Sequence, residues 1–216
     1  AQKEKAAPML LAALTGKDRT MRSAAIRCLG NFKGEEITKA VADKLATLPP
    51  QSQVQVIGIL AQRQDGAALP AITALASSKS DDVRQAALAG MGQLGNTATV
   101  KPLVAAMSNE SDRPTIRQSL SRLKGDGVDK ALIAALGAAE PGVRVEIAAV
   151  LNARDAGVAA DALLGLASDD EDPNVRKEAL KALGEVSNSK MCPKLVDLMG
   201  NVKKSSELRG IVNAII

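Results

Sequence analysis

A short pattern of apolar and polar residues recurs along this chain about every 30 residues. An apolar residue precedes an arginine, and a small or apolar residue follows three positions after the arginine. The pairs are Met21-Arg22, Val83-Arg84, Ile116-Arg117, Val143-Arg144, Val175-Arg176 and Leu208-Arg209, and Val54-Gln55 fills the gap with glutamine. The steps between the apolar residues are 33, 29, 33, 27, 32 and 33. A fixed period in this range predicts stacked helical hairpins rather than a compact domain around one pocket.

The sixth unit shows how one repeat is built. Asp172 can accept hydrogen bonds from first-turn amides, and Pro173 suits the first helical position, where a donor is not needed. Pro114 and Pro141 open helices in the same way. One apolar helix face follows, formed by Val175, Ala179, Leu180 and Leu183. These features predict an all-α fold without strands, in which residues 1–216 form one right-handed α-solenoid of about seven helical hairpins.

The second unit fits the pattern least well. Its second helix, from Val54 to Leu60, is apolar on almost every side, and Gln62 stands where other units carry Leu or Met. Either this helix is covered more deeply than the others, or the frame of the unit differs.

Taken together, these units resemble the HEAT-repeat family, and most closely the short bacterial type found in phycobilin lyase-like proteins. The resemblance covers nearly the whole chain, as six full units and a seventh that stops at Ile216. It implies a scaffold or binding surface, since most members serve in that way. A few members are bilin lyases and some recognise DNA, so the resemblance also implies two alternatives: a bilin lyase-like or other modifying-enzyme subunit, and a nucleic-acid-binding protein.

The repeated arginines form what we call the arginine column: Arg22, Arg84, Arg117, Arg144, Arg176 and Arg209. One interpretation is a basic ladder for an acidic partner. The other, which the resemblance implies and which we favour, is structural. Each guanidinium then bonds to a loop carbonyl or an aspartate of a neighbouring unit, a task that suits its planar set of donors.

The second helices also predict a binding face, because positions two and six residues after the repeated apolar residue point away from the apolar stripe. The candidate partner-binding residues are Arg27, Val56, Leu60, Gln85, Gln118, Arg122, Val145, Lys177 and Lys181. In a solenoid such helices usually line the concave side. A surface of mixed charge and apolar character suits a protein or peptide better than a phosphate backbone, which needs denser charge. A solvated face without a ligand is the alternative.

Composition narrows the chemistry that this chain can perform. The sequence has no His, Trp or Tyr and one aromatic residue, Phe32, so Ala, Leu, Val and Ile must fill the interior. Without histidine, Ser-His-Asp and Cys-His systems and His-ligated metals are excluded. Cys28 and Cys192 are predicted to be free thiols at helix contacts, several layers apart. We therefore predict a non-catalytic protein without a cofactor or metal.

Three local features have structural explanations. Gly125-Asp126-Gly127 is predicted to form a turn between helices, and Gly90-Met91-Gly92 to end a helix, and neither follows a strand as a nucleotide fingerprint would. The acidic run Asp169–Asp172 lacks the alternating ligands of a calcium loop and is predicted to face the positive end of a helix.

Charge and the chain ends leave several alternatives open. The net charge is +4, and the excess lies in residues 1–108, with 13 basic and 8 acidic residues. This excess is too weak to predict nucleic-acid binding by itself. The location is either cytoplasmic or extracytoplasmic after signal cleavage. We favour a monomer in which Leu208, Val212 and Ile215 face inward. An end-to-end dimer through Ile216, and continuation into a longer protein, are the alternatives.

Overall fold

A computed structural model describes residues 2–32, 34–186, 191–201 and 210–212. These ranges contain thirteen α-helices and four short 3-10 helices, and no strand, so the all-α prediction is confirmed. The helices are α1 Gln2–Thr15, α2 Arg19–Leu29, α3 Glu35–Leu45, α4 Pro50–Gln62, α5 Leu69–Ala74, α6 Asp81–Leu94, α7 Thr97–Ala106, α8 Arg113–Arg122, α9 Val128–Leu136, α10 Pro141–Ala153, α11 Ala160–Asp169, α12 Pro173–Val186 and α13 Cys192–Asn201. Within the same ranges, none of the helices has both the length and the apolar character that a membrane span requires.

The helix starts follow the predicted capping chemistry at two of four positions. Asp18 accepts hydrogen bonds from the Thr20 and Met21 amides at 2.7 and 3.1 Å, and Asp172 accepts one from the Asn174 amide at 2.7 Å. Such caps satisfy first-turn donors that have no partner within the helix. Ser80 and Glu140 occupy the corresponding position before α6 and α10 but make no side-chain capping bond.

The helices group into two compact units, Ala1–Ala106 and Met107–Ile216, which we call unit 1 and unit 2. The helices alternate between first helices (odd numbers) and second helices (even numbers). In unit 1, α4 packs against α2 and α6, and α3 packs against α1 and α5. In unit 2, α10 packs against α8 and α12, and α9–α10 and α11–α12 form hairpins. Stacking of like helices is the arrangement of an α-solenoid. That residues 1–216 form one array stays a prediction.

Aliphatic side chains fill the interior of both units, as the composition predicts. In unit 1 the largest fully buried side chains include Leu45, Ile57, Leu60, Ile72, Leu88 and Met91, and in unit 2 they include Ile116, Leu120 and Leu132. Each such side chain contributes about 1.5–3 kcal/mol by leaving water. Gly90 lies inside α6 rather than at its end, which corrects the prediction. A Cβ there would be 3.2 Å from the side chains of Ile57 and Ile72, so glycine lets three helices approach closely.

The end of the chain departs from one prediction. Ile211 is fully buried, whereas Val212 is 39% exposed, so Val212 does not face inward. A Cβ at Gly210 would lie 3.2 Å from the Leu180 side chain, which places this segment against α12. Leu208, Ile215 and Ile216 lie outside the described residues.

Candidate partner-binding face

The structure fixes the frame of the second repeat, which consists of α3 and α4. Helix α4 begins at Pro50, just as α10 begins at Pro141 and α12 at Pro173. The pair two and three residues further on is therefore Ser52-Gln53, and the predicted pair Val54-Gln55 is wrong. Gln53 is 8% exposed, and its amide nitrogen donates to the carbonyls of Leu45 and Ala46, both at 3.2 Å. A glutamine thus bonds to the end of the preceding helix, as the arginines of other units do.

This shift corrects two of the candidate binding residues. Val56 and Leu60 are 0% and 1% exposed and belong to the core, so neither can contact a partner on the surface. Val54 and Gly58 take the outward positions instead, the first half-buried and the second exposed. Periodicity did not separate the two frames because α4 carries apolar residues on most of its sides.

With that correction, the outward positions define in each unit what we call its second-helix face. In unit 1 the members are Ser23 and Arg27 on α2, Val54 and Gly58 on α4, and Gln85 and Ala89 on α6. In unit 2 they are Gln118 and Arg122 on α8, Val145 and Ala149 on α10, and Lys177 and Lys181 on α12. The charged side chains and Gln118 are exposed, whereas Gln85 and Val145 are half-buried. That a partner binds this face stays a prediction.

In unit 1 a groove runs between α4 and α6 on this face. It encloses about 800 Å³ and is lined by Pro50, Gln51, Val54, Gln55, Asp82, Gln85 and Ala86. The Oε1 atom of Gln51 also accepts a hydrogen bond from Arg19 Nη2 at 3.4 Å, which ties α4 to α2. The amides of Gln51 and Gln55 and the carboxylate of Asp82 lie beside small apolar side chains, so the groove presents both donors and acceptors.

Most arginines of the column bond to backbone carbonyls within their own repeat. Nη1 of Arg22, Arg84 and Arg176 each donates to a carbonyl six residues earlier, at 2.6, 3.1 and 2.7 Å. Arg144 donates to the Ala139 carbonyl at 2.6 Å. These carbonyls end the preceding first helix or lie in the loop behind it, so each bond holds a hairpin together. A structural role for these residues stays a prediction that stability measurements can test.

Arg144 also joins two consecutive hairpins. Its Nε and Nη2 atoms lie 2.7 and 2.9 Å from the two carboxylate oxygens of Asp170, which is 5% exposed and follows α11. Burial works to raise the pKa of Asp170, but hydrogen bonds from Arg144 and the Asp172 amide outweigh it and lower the pKa below its usual 3.8. The hydrogen bond to Asp170 likewise raises the pKa of Arg144. The hydrogen bond from Nη2 is charge-assisted and of the strong class, whereas Nε lies at an ion-pair distance without hydrogen-bond geometry.

Arg117 departs from the column. Its side chain is 46% exposed and lies 3.4 Å from Glu146 on α10. Arg113, at the start of α8, makes the backbone contact in its place, with Nε donating to the Met107 carbonyl at 3.0 Å. Arg209 lies outside the described residues.

The sequence interpretation missed two arginines that each contact several groups of another repeat. Nη1 of Arg154 donates to the carbonyls of Leu120, Ser121 and Leu123 at 3.0, 3.3 and 2.8 Å, and its Nε lies 2.5 Å from Asp129. Arg154 follows α10, and these carbonyls end α8. One side chain thus satisfies the open end of the neighbouring second helix.

Arg63 does the same at the end of α4. It donates to the carbonyls of Leu29 and Gly34 at 3.0 and 3.1 Å, to the Phe32 carbonyl, and to the Thr38 hydroxyl at 3.0 Å. We call Arg63 and Arg154 the arginine clamps. They stand 91 residues apart, and each is followed three residues later by glycine.

The surroundings of the two clamps repeat at the same distance of 91 residues. Gly34 and Gly125 have φ of 119° and 122°, a conformation that favours glycine. Gln64 and Asp155, which follow the clamps, have φ of 53° and 50°. A search for a period of 91 residues would have revealed the clamps, whereas a period near 30 conceals them.

Thiol and acidic chemistry is sparse in the described part of the chain. Cys28 is a free thiol on the exposed side of α2, so its predicted place at a buried helix contact is wrong. The Cys192 side chain is outside the described residues. Among those residues, no three Cys, Asp or Glu side chains converge as a metal site would require. Gly125 and Gly127 lie in the turn before α9, as predicted.

Comparisons with known proteins agree with this architecture. The fold is similar to the complex of CpcE and CpcF of phycocyanin lyase from Nostoc sp., with a TM-score of 0.51, 16% identity, and 97% of this chain and 93% of that chain covered. It is also similar to human deoxyhypusine hydroxylase, with a TM-score of 0.43, 15% identity, and coverage of 98% and 95%. At 16% identity the likeness to the lyase complex shows the fold alone. No curated protein matches the chain.

The family comparison is more specific. A model described as HEAT repeats matches residues 38–124 and 130–212. The two matched segments begin 92 residues apart, close to the spacing of the arginine clamps. Because the model covers well over half of its length, this chain belongs to the HEAT repeat family.

Proposed function

We propose that this protein is a non-catalytic scaffold that binds a protein or peptide through its second-helix face. The observation that carries the proposal is the groove between α4 and α6, whose lining combines glutamine side chains and one carboxylate, Asp82, with the apolar residues Pro50, Val54 and Ala86. An extended peptide has alternating donors and acceptors along its backbone, and glutamine amides can pair with both. Mixed polar and apolar surface of this kind is typical of interfaces that form and dissociate.

The chemistry of the chain supports a role without catalysis. General acid–base work near neutral pH usually relies on histidine, and the sequence has none. The paired charges that the structure brings together, such as Arg144 with Asp170 and Arg154 with Asp129, are engaged with each other and with backbone. Fold similarity to phycocyanin lyase adds no support for lyase chemistry, and the amide-lined groove is less basic than a nucleic-acid surface requires.

A peptide selection on the whole chain tests this proposal. Random peptides displayed on phage are selected against the immobilised protein, and the enriched sequences are synthesised and their Kd values measured. Gln55→Arg places a long cation in the groove, whereas Gln93→Arg makes the same change at an exposed site of α6 that does not line the groove. We expect groove-binding peptides to lose tenfold or more in affinity, on the order of 1.4 kcal/mol, with Gln55→Arg and to be unaffected by Gln93→Arg.

Two results would contradict the proposal. One is a selection that enriches no peptide above the background of an unrelated helical protein. The other is a set of peptides whose affinity changes equally in both variants, because binding would then lie away from the groove. Far-ultraviolet circular dichroism of each variant shows that the fold is retained.

A further inference from the structure

The second-helix face of unit 2 differs in charge from that of unit 1. At equivalent outward positions, unit 1 carries Gln85 and Ala89 on α6, whereas unit 2 carries Lys177 and Lys181 on α12. Residues 109–216 contain 15 basic and 16 acidic residues, so unit 2 as a whole is not basic. The positive charge is therefore concentrated on one face rather than spread over the unit.

The centre of this face is apolar and its sides are basic. Helix α10 packs between α8 and α12 and presents the half-buried side chains of Val145 and Ala149. On one side α8 presents Arg122, and on the other α12 presents Lys177 and Lys181, all of them exposed. A short apolar strip thus lies between two sets of cations.

Two acidic side chains next to this strip each lie near a cation. Glu146 Oε2 lies 3.4 Å from Arg117 Nη1 but makes no hydrogen bond, and Glu178 lies 3.4 Å from Lys181. Their side chains are 17% and 21% exposed, so most of each carboxylate is withdrawn from the surface. Within the described part of the chain, no carboxylate pairs with Arg122 or Lys177. These two cations remain available to charges supplied from outside.

Resting on the proposed function, we infer that this part of the face binds an extended acidic peptide segment with an apolar residue at its centre. Neighbouring helices pack about 8–10 Å apart, so α8 and α12 lie roughly 16–20 Å apart across α10. An extended chain advances about 3.3–3.6 Å per residue, so five or six residues span that distance. The partner accordingly carries acidic residues five or six positions apart, one near Arg122 and one near Lys177, with an apolar side chain between them on Val145.

A nucleic acid fits this surface less well than a peptide. A phosphate backbone carries a charge at every nucleotide and binds to dense rows of cations. Single strands also bind through stacking on aromatic rings, and the sequence has one aromatic residue, Phe32, in unit 1. An apolar strip at the centre of the face suits a side chain better than a phosphate.

Fluorescence anisotropy with a defined probe tests the inference. The probe is a labelled peptide of about ten residues, with glutamates about six positions apart, a leucine midway and serines elsewhere. We expect it to bind the full chain, and Lys177→Glu and Arg122→Glu each to weaken binding about tenfold, because a favourable charge contact becomes repulsive. Lys130→Glu makes the same charge change at an exposed site on α9, which is the first helix of its hairpin and not part of the face. It should alter the Kd less than twofold. Raising the salt concentration should weaken binding of the probe.

Several outcomes would overturn the inference. A probe with glutamine in place of glutamate that binds equally well would show that charge does not select the partner. Equal losses in Lys177→Glu and Lys130→Glu would show an unspecific charge effect. Duplex DNA that binds more tightly than the probe, with the same dependence on Lys177, would assign the face to nucleic acid. If the probe fails while peptides selected on the groove of unit 1 still bind, the acidic specificity is wrong and the scaffold proposal stands.

Discussion

Replacing Arg154 tests whether the arginine clamps hold the stacked helices together. Arg154→Ala removes three contacts to carbonyls at the end of α8 and one to Asp129. The side chain is 11% exposed, so water replaces these bonds poorly. Hydrogen bonds to a charged group contribute about 1.5–3 kcal/mol each, but Nη1 has two protons for three carbonyls, and Asp129 is partly solvated. We therefore expect a loss of about 2–4 kcal/mol in the free energy of unfolding.

Arg117→Ala is the matched control for this prediction. It removes an arginine of the same unit whose side chain is 46% exposed and whose contact with Glu146 is 3.4 Å long. The Glu146 side chain is 17% exposed, but the oxygen nearest Arg117 makes no hydrogen bond, so we expect a smaller loss than for Arg154→Ala, below about 1 kcal/mol. Arg154→Lys should fall between the two, because one ammonium group cannot reach both the carbonyls and Asp129.

Urea denaturation followed by far-ultraviolet circular dichroism measures these free energies. Hydrogen exchange by mass spectrometry locates the effect, and Arg154→Ala should speed exchange in α8 and α9 while leaving α3 and α4 unchanged. Equal stabilities of Arg154→Ala and Arg117→Ala would refute the reasoning. Faster exchange throughout the chain would show that the clamp has no local role.

Three further predictions concern the fold. The pKa of Asp170 is lowered in the folded protein, so its contact with Arg144 stabilises the protein fully above the ordinary pKa of 3.8. This stabilisation is lost as the pH falls through the lower pKa of the folded state. The stability difference between wild type and Asp170→Asn, measured from about pH 6 to about pH 2, should therefore shrink towards zero. Gly95→Ala should unfold at lower urea concentration, since the new Cβ would lie 2.3 Å from a backbone carbonyl oxygen, whereas Gly137→Ala meets no atom within 4 Å and should not; equal midpoints would contradict this. Gln53→Leu should cost about 1–3 kcal/mol, because it removes the side-chain donor that bonds to two carbonyls at the end of α3, and an unchanged urea midpoint would assign it no such role.

The fold was predictable because proline, capping residues and apolar spacing agree at most units. Pro141 and Pro173 mark helix starts that the structure confirms, and the apolar residues that follow are buried. The prediction failed at the second repeat because Val54-Gln55 imitates the repeated pair by chance. Pro50 carried the correct signal, since Ser52-Gln53 follows it at the proper distance and makes the steps from Met21 and to Val83 both 31 residues.

The candidate site was less predictable than the fold. Val56 and Leu60 changed from surface to core with a shift of two residues, since such a shift turns a helical residue by more than half a turn. The clamps were missed because their acceptors are carbonyls of another repeat, and a sequence shows side chains rather than the open ends of helices. Cys28 was assigned to the core by residue type, although its place on α2 is exposed.

The arginine clamps also decide where this chain can be divided. Each clamp joins residues 25–34 positions apart in the sequence, so a chain break between its donor and its acceptors would leave these bonds to form between two separate polypeptides. A break between residues 34 and 63, or between 123 and 154, would separate an arginine from the carbonyls it holds. A break between Ala106 and Met107 leaves both clamps whole. That junction is therefore the place to cut the chain for a split reporter or for an exchange of domains.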